Sequence, residues 1–388
     1  MKLNEQGRER LQDAVKNPLR LALLCQSWYV MQGELPETKA DLYERFTRKH
    51  YEWKAEFSTT KTEQDKLNKA LGELAREAIA KSKTRFRIAQ EFAYKVMGEE
   101  LLNRACRLGW LNQVDRDRQT DEPFYAFYHA TFQEYFAALA IDDWGFFLPR
   151  DHKNKPVKDA DNKDKPYRIF EPQWKQVILL WLGREGVENE QKEEFIEALV
   201  KFRDGCGGFY KYRAYFLAAA GIAEFGECSI SDEVVAQIVR WSCDYGAASK
   251  RAMAALQQTH RAKAIAALLN LITSEDEYIC RTAVESLGQI AVGSVSAIAA
   301  LVNLIASSQD EYTRQQAAES LGKIAVGSVS AIAALDNLIA NSQDEVTRWL
   351  VAESLGKIDP SNESAVAALV NLIASSHSEF IRLRGVWS

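Results

Sequence analysis

Residues 124–138 read FYAFYHATFQEYFAA. A single histidine, His129, sits among aromatic side chains, with a polar doublet, Gln133-Glu134, just beyond it. An imidazole can move protons near neutral pH, ligate a metal or bond a phosphate oxygen. Ligation needs converging partners. The other histidines, His50, His152, His260 and His377, are scattered, none has a companion at i+3 or i+4, and they read as surface residues. The six cysteines (Cys25, Cys106, Cys206, Cys228, Cys243 and Cys280) form no C-x-x-C pair. Their spacing supports neither a zinc site nor a disulfide framework, and free thiols in a reducing compartment are the plainer reading. No G-x-x-x-x-G-K-[ST] run occurs, so there is no backbone cradle for a nucleotide phosphate. These residues predict no metal, no cofactor and no enzyme. On its own, His129 reads as a hydrogen-bonded structural histidine. Phe127, Phe132, Tyr135 and Phe136 read as the packing that fixes its ring, and Glu134 as support for the helix that follows.

The elements that must position His129 are legible around it. WLNQVD (Trp110–Asp115) and FYAFYH (Phe124–His129) flank the polar turn RDRQTDEP, which predicts a β-hairpin. Helical stripes precede it: NPLRLALLCQSWYV (Asn17–Val30), LPETKADLYERFTRKHYEWK (Leu35–Lys54) with Thr38 as its cap, KLNKALGELAREAIAK (Lys66–Lys81) and EFAYKVMGEELLNRACRLG (Glu91–Gly109). Another, TFQEYFAALAIDD, follows. Helices closed by a small hairpin predict a winged helix.

The C-terminal pattern is different. ESLGQIAVGS, ESLGKIAVGS and ESLGKIDPSN begin at Glu285, Glu319 and Glu353, 34 residues apart. Between them recur AIAALLNLI (Ala264), AIAALVNLI (Ala297), AIAALDNLI (Ala331) and AVAALVNLI (Ala365). A fixed period of this size means stacked supersecondary units. Ile298, Leu301, Leu304 and Ile305 make one helical face, and Ala317, Leu321 and Ile324 another. Gly293, Gly327 and Pro360 mark the turns. Asp310-Glu311 and Asp344-Glu345 stand where carboxylates cap free helix N–H groups. Each unit is therefore a helix pair, and the array is a HEAT-type α-solenoid. The whole chain reads as mainly α, with 388 residues, 47% hydrophobic, 27% charged and a net charge of −5. No apolar run reaches the about 18 residues of a membrane span, and MKLNEQGRERLQ has no apolar signal core, so a cytoplasmic location is expected.

KNPLRLALLCQSW, GELPETKADLYERF and FYHATFQEYFAALA together resemble the part of a NACHT-family signalling ATPase just behind its nucleotide-binding domain. Cyanobacterial and other bacterial members of this STAND group often carry HEAT repeats there. The resemblance implies that Pro18 lies against an adenine and that His129 contacts the β-phosphate of bound ADP, provided a nucleotide-binding domain is supplied. This sequence departs from the family in having no phosphate loop and no magnesium-site strand, with only 16 residues ahead of Asn17. It reads as a truncated or split member: a sensor half without the motor.

The expected organisation is a helical lid segment (1–60), a winged helix (61–150), a linker or exposed loop (151–168), degenerate HEAT-like helices (169–260) and regular 34-residue repeats (261–388), the last incomplete. The expected function is binding and signal relay, with a protein partner on the solenoid and an ATPase domain in trans. Leu3, Leu11, Leu19 and Leu23 are expected to form an exposed apolar patch where that domain docks. Phe380, Ile381 and Trp387 are expected to be poorly covered. Two alternatives rest on fold analogy. One is a phycobilin lyase-like protein handling tetrapyrroles. The other is a winged-helix nucleic-acid binder, disfavoured by the acidic charge balance and by Glu91, Glu99 and Glu100 beside Lys95, Arg104 and Arg107.

Overall fold

The computed structural model describes residues 18, 21–25, 36–54, 60–81, 85–150, 157–158, 164–165, 167–203, 210–244, 246 and 248–375. They divide into two compact units, with the division in the chain falling between Ser229 and Ile230.

The first unit opens with helix α1 (Lys39–Trp53). Thr38, in extended backbone, accepts from the Asp41 N–H as its N-cap. Helix α2 (Lys61–Ala80) starts five residues before the apolar stripe that announced it. Thr60 and Glu63 form a reciprocal capping box, a T-x-x-E signal. The cap N–H and Arg104 hold the exposed Glu63 carboxyl down at about 2. Strand β1 (Ile88–Ala89) leads into α3 (Gln90–Met97) and α4 (Glu99–Leu108). Residues 91–109, expected as one helix, are thus two. Gly98 between them takes φ 77°, a conformation glycine reaches without the Cβ penalty. The hairpin forms as expected from β2 (Leu111–Arg116) and β3 (Pro123–Phe127), with Leu111 opposite Phe127 and Asn112 opposite Ala126. β1 pairs on the other edge of β3, so the sheet order is β1-β3-β2. Helix, strand, two helices and a hairpin with its last strand central make a winged helix. Helix α5 (Ala130–Leu139) follows at once.

Short strands β4 (Val157–Lys158) and β5 (Asp164–Lys165) pair within the stretch read as linker or loop. Then come α6 (Pro172–Leu182), α7 (Asn189–Val200) and α8 (Lys211–Gly221). Trp174, Val177, Ile178, Leu180, Trp181 and Leu182 are all buried, as expected of a helix that is apolar nearly all round. Polar bonds join these helices to the winged helix. Trp181 Nε1 donates to Ile141 O at 2.9 Å, and Arg184 Nη1 donates to Ala138 O at 2.6 Å, at the C-terminal end of α5. Thr38 Oγ1 donates to Gly183 O at 2.8 Å. Glu224, only 6% exposed, accepts from the Lys39 N–H and pairs with Lys39 Nζ at 2.7 Å. A carboxylate at a helix N-terminus gains from both the free N–H groups and the dipole.

The second unit runs α9 (Ser231–Ser242), α10 (Ser249–Leu256), α11 (Arg261–Leu271), α12 (Glu277–Ile290), α13 (Val295–Ser307), α14 (Glu311–Ile324), α15 (Val329–Asn341), α16 (Glu345–Ile358) and α17 (Glu363–Ser375). α12, α14 and α16 lie side by side as one layer, and α13, α15 and α17 pack behind them. The expected caps are in place. Asp310 accepts from the Thr313 N–H and Asp344 from the Thr347 N–H, each at 2.7 Å. Gly293 and Gly327, at φ 76° and 72°, turn the chain between helices. Each then donates its N–H to the C-terminal end of the next layer helix, at Ile324 O and Ile358 O. The ESLG motif holds the layer together. A Cβ on Gly288 would stand 2.6 Å from Ser320 Oγ, and one on Gly322 would stand 3.0 Å from the Cα and Cβ of Ser354. Glycine facing serine lets adjacent helices approach closely, and Ser320 Oγ donates back to Val284 O at 2.9 Å.

Candidate functional site

His129 stands at the junction of β3 and α5 and is the N-cap of α5. Extended backbone at φ −152° turns its ring back over the helix start, where Nδ1 accepts from the Thr131 N–H at 3.2 Å. Thr131 Oγ1 is 3.0 Å from the same nitrogen. The residue is exposed, not a core histidine. Beneath it, Phe132 and Phe136 are fully buried and Tyr135 nearly so. They pack with Tyr43, Phe46 and Trp110 into an aromatic cluster. The aromatics therefore hold α5, and the cap holds the ring. The polar doublet acts elsewhere. Gln133 Nε2 donates to Arg85 O at 2.7 Å, and Glu134 pairs with the Arg85 guanidinium at 2.5 Å. Together they pin the entry to β1.

Pro18 is helical and exposed, and no hydrogen bond or ring contact joins it to His129 among the described residues. Leu23, expected on an exposed patch, is buried at 2% exposure. Leu3, Leu11 and Leu19 lie outside the described residues, as do Phe380, Ile381, Trp387, Cys206, His152 and His377.

Two histidines expected at the surface are not there. His260 is half-buried. So is His50, whose Nε2–H donates to Leu108 O at 2.7 Å and whose ring lies 4.2 Å from that of Trp110. It ties α1 to the C-terminal end of α4. Burial holds the His50 pKa below its ordinary 6.5, with nearby Lys54 acting in the same direction. A lowered histidine pKa means the unfolded chain binds the proton more readily. The stabilisation is then complete above pH 6.5 and is lost as pH falls from there through the folded value. In urea unfolding followed from pH 7.5 to 5, the parent should lose more stability than His50→Gln, and parallel curves would contradict this.

Chemistry elsewhere is sparse. Among the described residues no group of three or more His, Cys, Asp or Glu could hold a metal ion. Among the described cysteines, Cys25, Cys106, Cys243 and Cys280 are free thiols. No described helix is long and apolar enough to cross a membrane. A cleft of about 800 Å³ among α1, α2 and α5 presents Glu44 and Glu73 as well as Arg48 and Lys69, so neither sign of charge dominates. The hairpin tip is acidic: Asp115, Asp117, Asp121 and Glu122 outnumber Arg116 and Arg118. Asp115 and Asp121 pair with Arg87 and Arg116, leaving little basic charge to meet a phosphate backbone.

The layer α12–α14–α16 carries a patterned surface. Equivalent positions align at the 34-residue spacing: Tyr278, Tyr312 and Val346; Glu285, Glu319 and Glu353; Gln289, Lys323 and Lys357. Lys323 and Lys357 each pair with the glutamate four residues earlier at 2.7 Å. Arg281 lies over the Tyr312 ring at 5.1 Å, and Gln315 Nε2 donates to Thr347 Oγ1 at 2.8 Å, so side chains of neighbouring repeats brace one another. At one edge, the glycine turns hold Val295 and Val329 out at 82% and 80% exposure. Exposed apolar groups repeated on a rigid frame are the usual material of a protein-binding surface.

The comparisons agree with this geometry. No curated protein matches the chain. Residues 236–322 and 298–388 match the family of HEAT repeats. The C-terminal region is therefore an array of HEAT repeats, a helical scaffold of the kind that commonly mediates protein–protein interaction.

Proposed function

We propose that this chain is a recognition and relay protein with no enzymatic step of its own, the sensor half of a NACHT-type signalling ATPase. In this reading the HEAT layer receives a protein partner. The winged helix then couples that occupancy to a nucleotide-binding domain supplied in trans, with His129 donating to the terminal phosphate of its bound ADP. The observation that supports it most directly is the placement of FYHATFQEYFAA. It leaves the central strand of a winged helix and puts the imidazole, exposed, at a helix N-terminus, where N–H groups and dipole suit an anion. Lacking a phosphate loop, the chain cannot by itself cradle a triphosphate.

Calorimetry tests it. The chain alone should give no heat with ADP or ATP and release no phosphate. Mixed with the nucleotide-binding domain of a bacterial NACHT ATPase, it should associate and hold ADP about tenfold more tightly than His129→Ala does, one charge-assisted hydrogen bond being worth about 1.5–3 kcal/mol. ATP hydrolysis by the chain alone, or no association, would overturn the proposal.

A further inference from the structure

We infer that Thr131 is a positioning residue that decides which nitrogen of His129 carries the proton, so that His129 meets a ligand only as an Nε2–H donor to an anionic oxygen. The inference rests on the reading of His129 as a phosphate contact, but its geometry stands apart from it. A backbone N–H can only donate. With the Thr131 N–H directed at Nδ1 from 3.2 Å, that nitrogen must present its lone pair. A neutral imidazole has one N–H, which is then on Nε2. Thr131 Oγ1 reaches Nδ1 from 3.0 Å and, facing a lone pair, turns its hydrogen toward it. Two donors from one residue thus converge on one acceptor and fix both ring plane and tautomer. Among the described residues Nε2 has no hydrogen-bond partner, and the ring is exposed.

The consequence is chemical selectivity. Histidines that bind metals usually ligate through one nitrogen while the other donates its N–H to a carbonyl or carboxylate. Here the inner nitrogen accepts, so the outer one keeps its proton and offers no lone pair. It can neither ligate a metal nor take a proton as a base. It can donate to a phosphoryl oxygen, and the N-terminal end of α5 adds to that preference.

The full chain, labelled with ¹⁵N-histidine, tests this by long-range ¹H–¹⁵N spectra at pH 8. His129→Asn, which can cap the helix through its own side-chain oxygen, identifies the resonance. The parent should show the Nε2–H form alone, and Thr131→Ser, which keeps the hydroxyl, should match it. Thr131→Val keeps the shape and the backbone donor but loses the hydroxyl, and with one donor on Nδ1 in place of two it should show a minor added Nδ1–H population. An Nδ1–H form in the parent, or a Thr131→Val spectrum identical to it, would overturn the inference. These spectra need no nucleotide, so they stand even if the trans complex fails to form.

Discussion

Phe132→Ala should cost the first unit about 3–5 kcal/mol, the range for truncating a fully buried aromatic side chain. Phe132 is 0% exposed. Its ring meets Tyr43 edge-on at 5.1 Å, Phe46 at 5.1 Å, Trp110 at 5.7 Å and Tyr128 at 5.9 Å. These partners belong to α1, to the residue before β2 and to the residue after β3. One side chain on α5 therefore joins the entering helix to both ends of the hairpin. Its removal forfeits the buried area, about 0.5–1.5 kcal/mol for each well-placed ring pair, and leaves a cavity the rigid sheet cannot close. Phe132→Leu should recover most of the loss, because volume matters more than aromaticity in a packed core. Tryptophan fluorescence in urea reports the change, since Trp110, Trp174 and Trp181 are all buried in this unit. A loss under about 1 kcal/mol would show that the cluster is not the keystone of the winged helix.

Gly288→Ala should destabilise the HEAT unit by about 2 kcal/mol, with Gly322→Ala a milder version. The sign is the informative part. Alanine in place of glycine inside an exposed helix ordinarily gains about 1 kcal/mol. Here the added methyl would sit 2.6 Å from Ser320 Oγ, 2.9 Å from its Cβ and 3.1 Å from its Cα. The hydroxyl could rotate away, but the Cα belongs to α14, so the helices must separate, and overpacking of this kind costs about 1–3 kcal/mol. At Gly322 the nearest atoms stand at 3.0 Å, hence the smaller effect. Combining Gly288→Ala with Ser320→Gly should restore part of the loss, giving a favourable coupling in a double-mutant cycle. Equal or higher stability for Gly288→Ala alone would mean the helices slide apart freely, and that the ESLG repeat is not a contact motif.

Much of this protein was determined by short-range sequence alone. The 34-residue period, the Asp310 and Asp344 caps, the turns at Gly293 and Gly327 and the hairpin around RDRQTDEP depend on neighbours within a few residues. Helix caps and turn chemistry act over that distance, and so they could be read directly. The T-x-x-E box at Thr60 was equally local, yet an apolar stripe beginning at Lys66 drew the boundary too late. Gly98 could have been read as a break, but the apolar period continues across it. Tertiary structure decided the rest. Lys39 meets Glu224 across 185 residues and His50 meets Leu108 across 58, and no local pattern encodes a partner so distant. His129 shows the division most clearly. Its composition and surroundings marked it as the residue to question, but the answer waited on where the ring turned. The Thr131 bond to its inner nitrogen is a local cap, two residues on, but which side of the ring faces solvent depends on chain segments brought together in space.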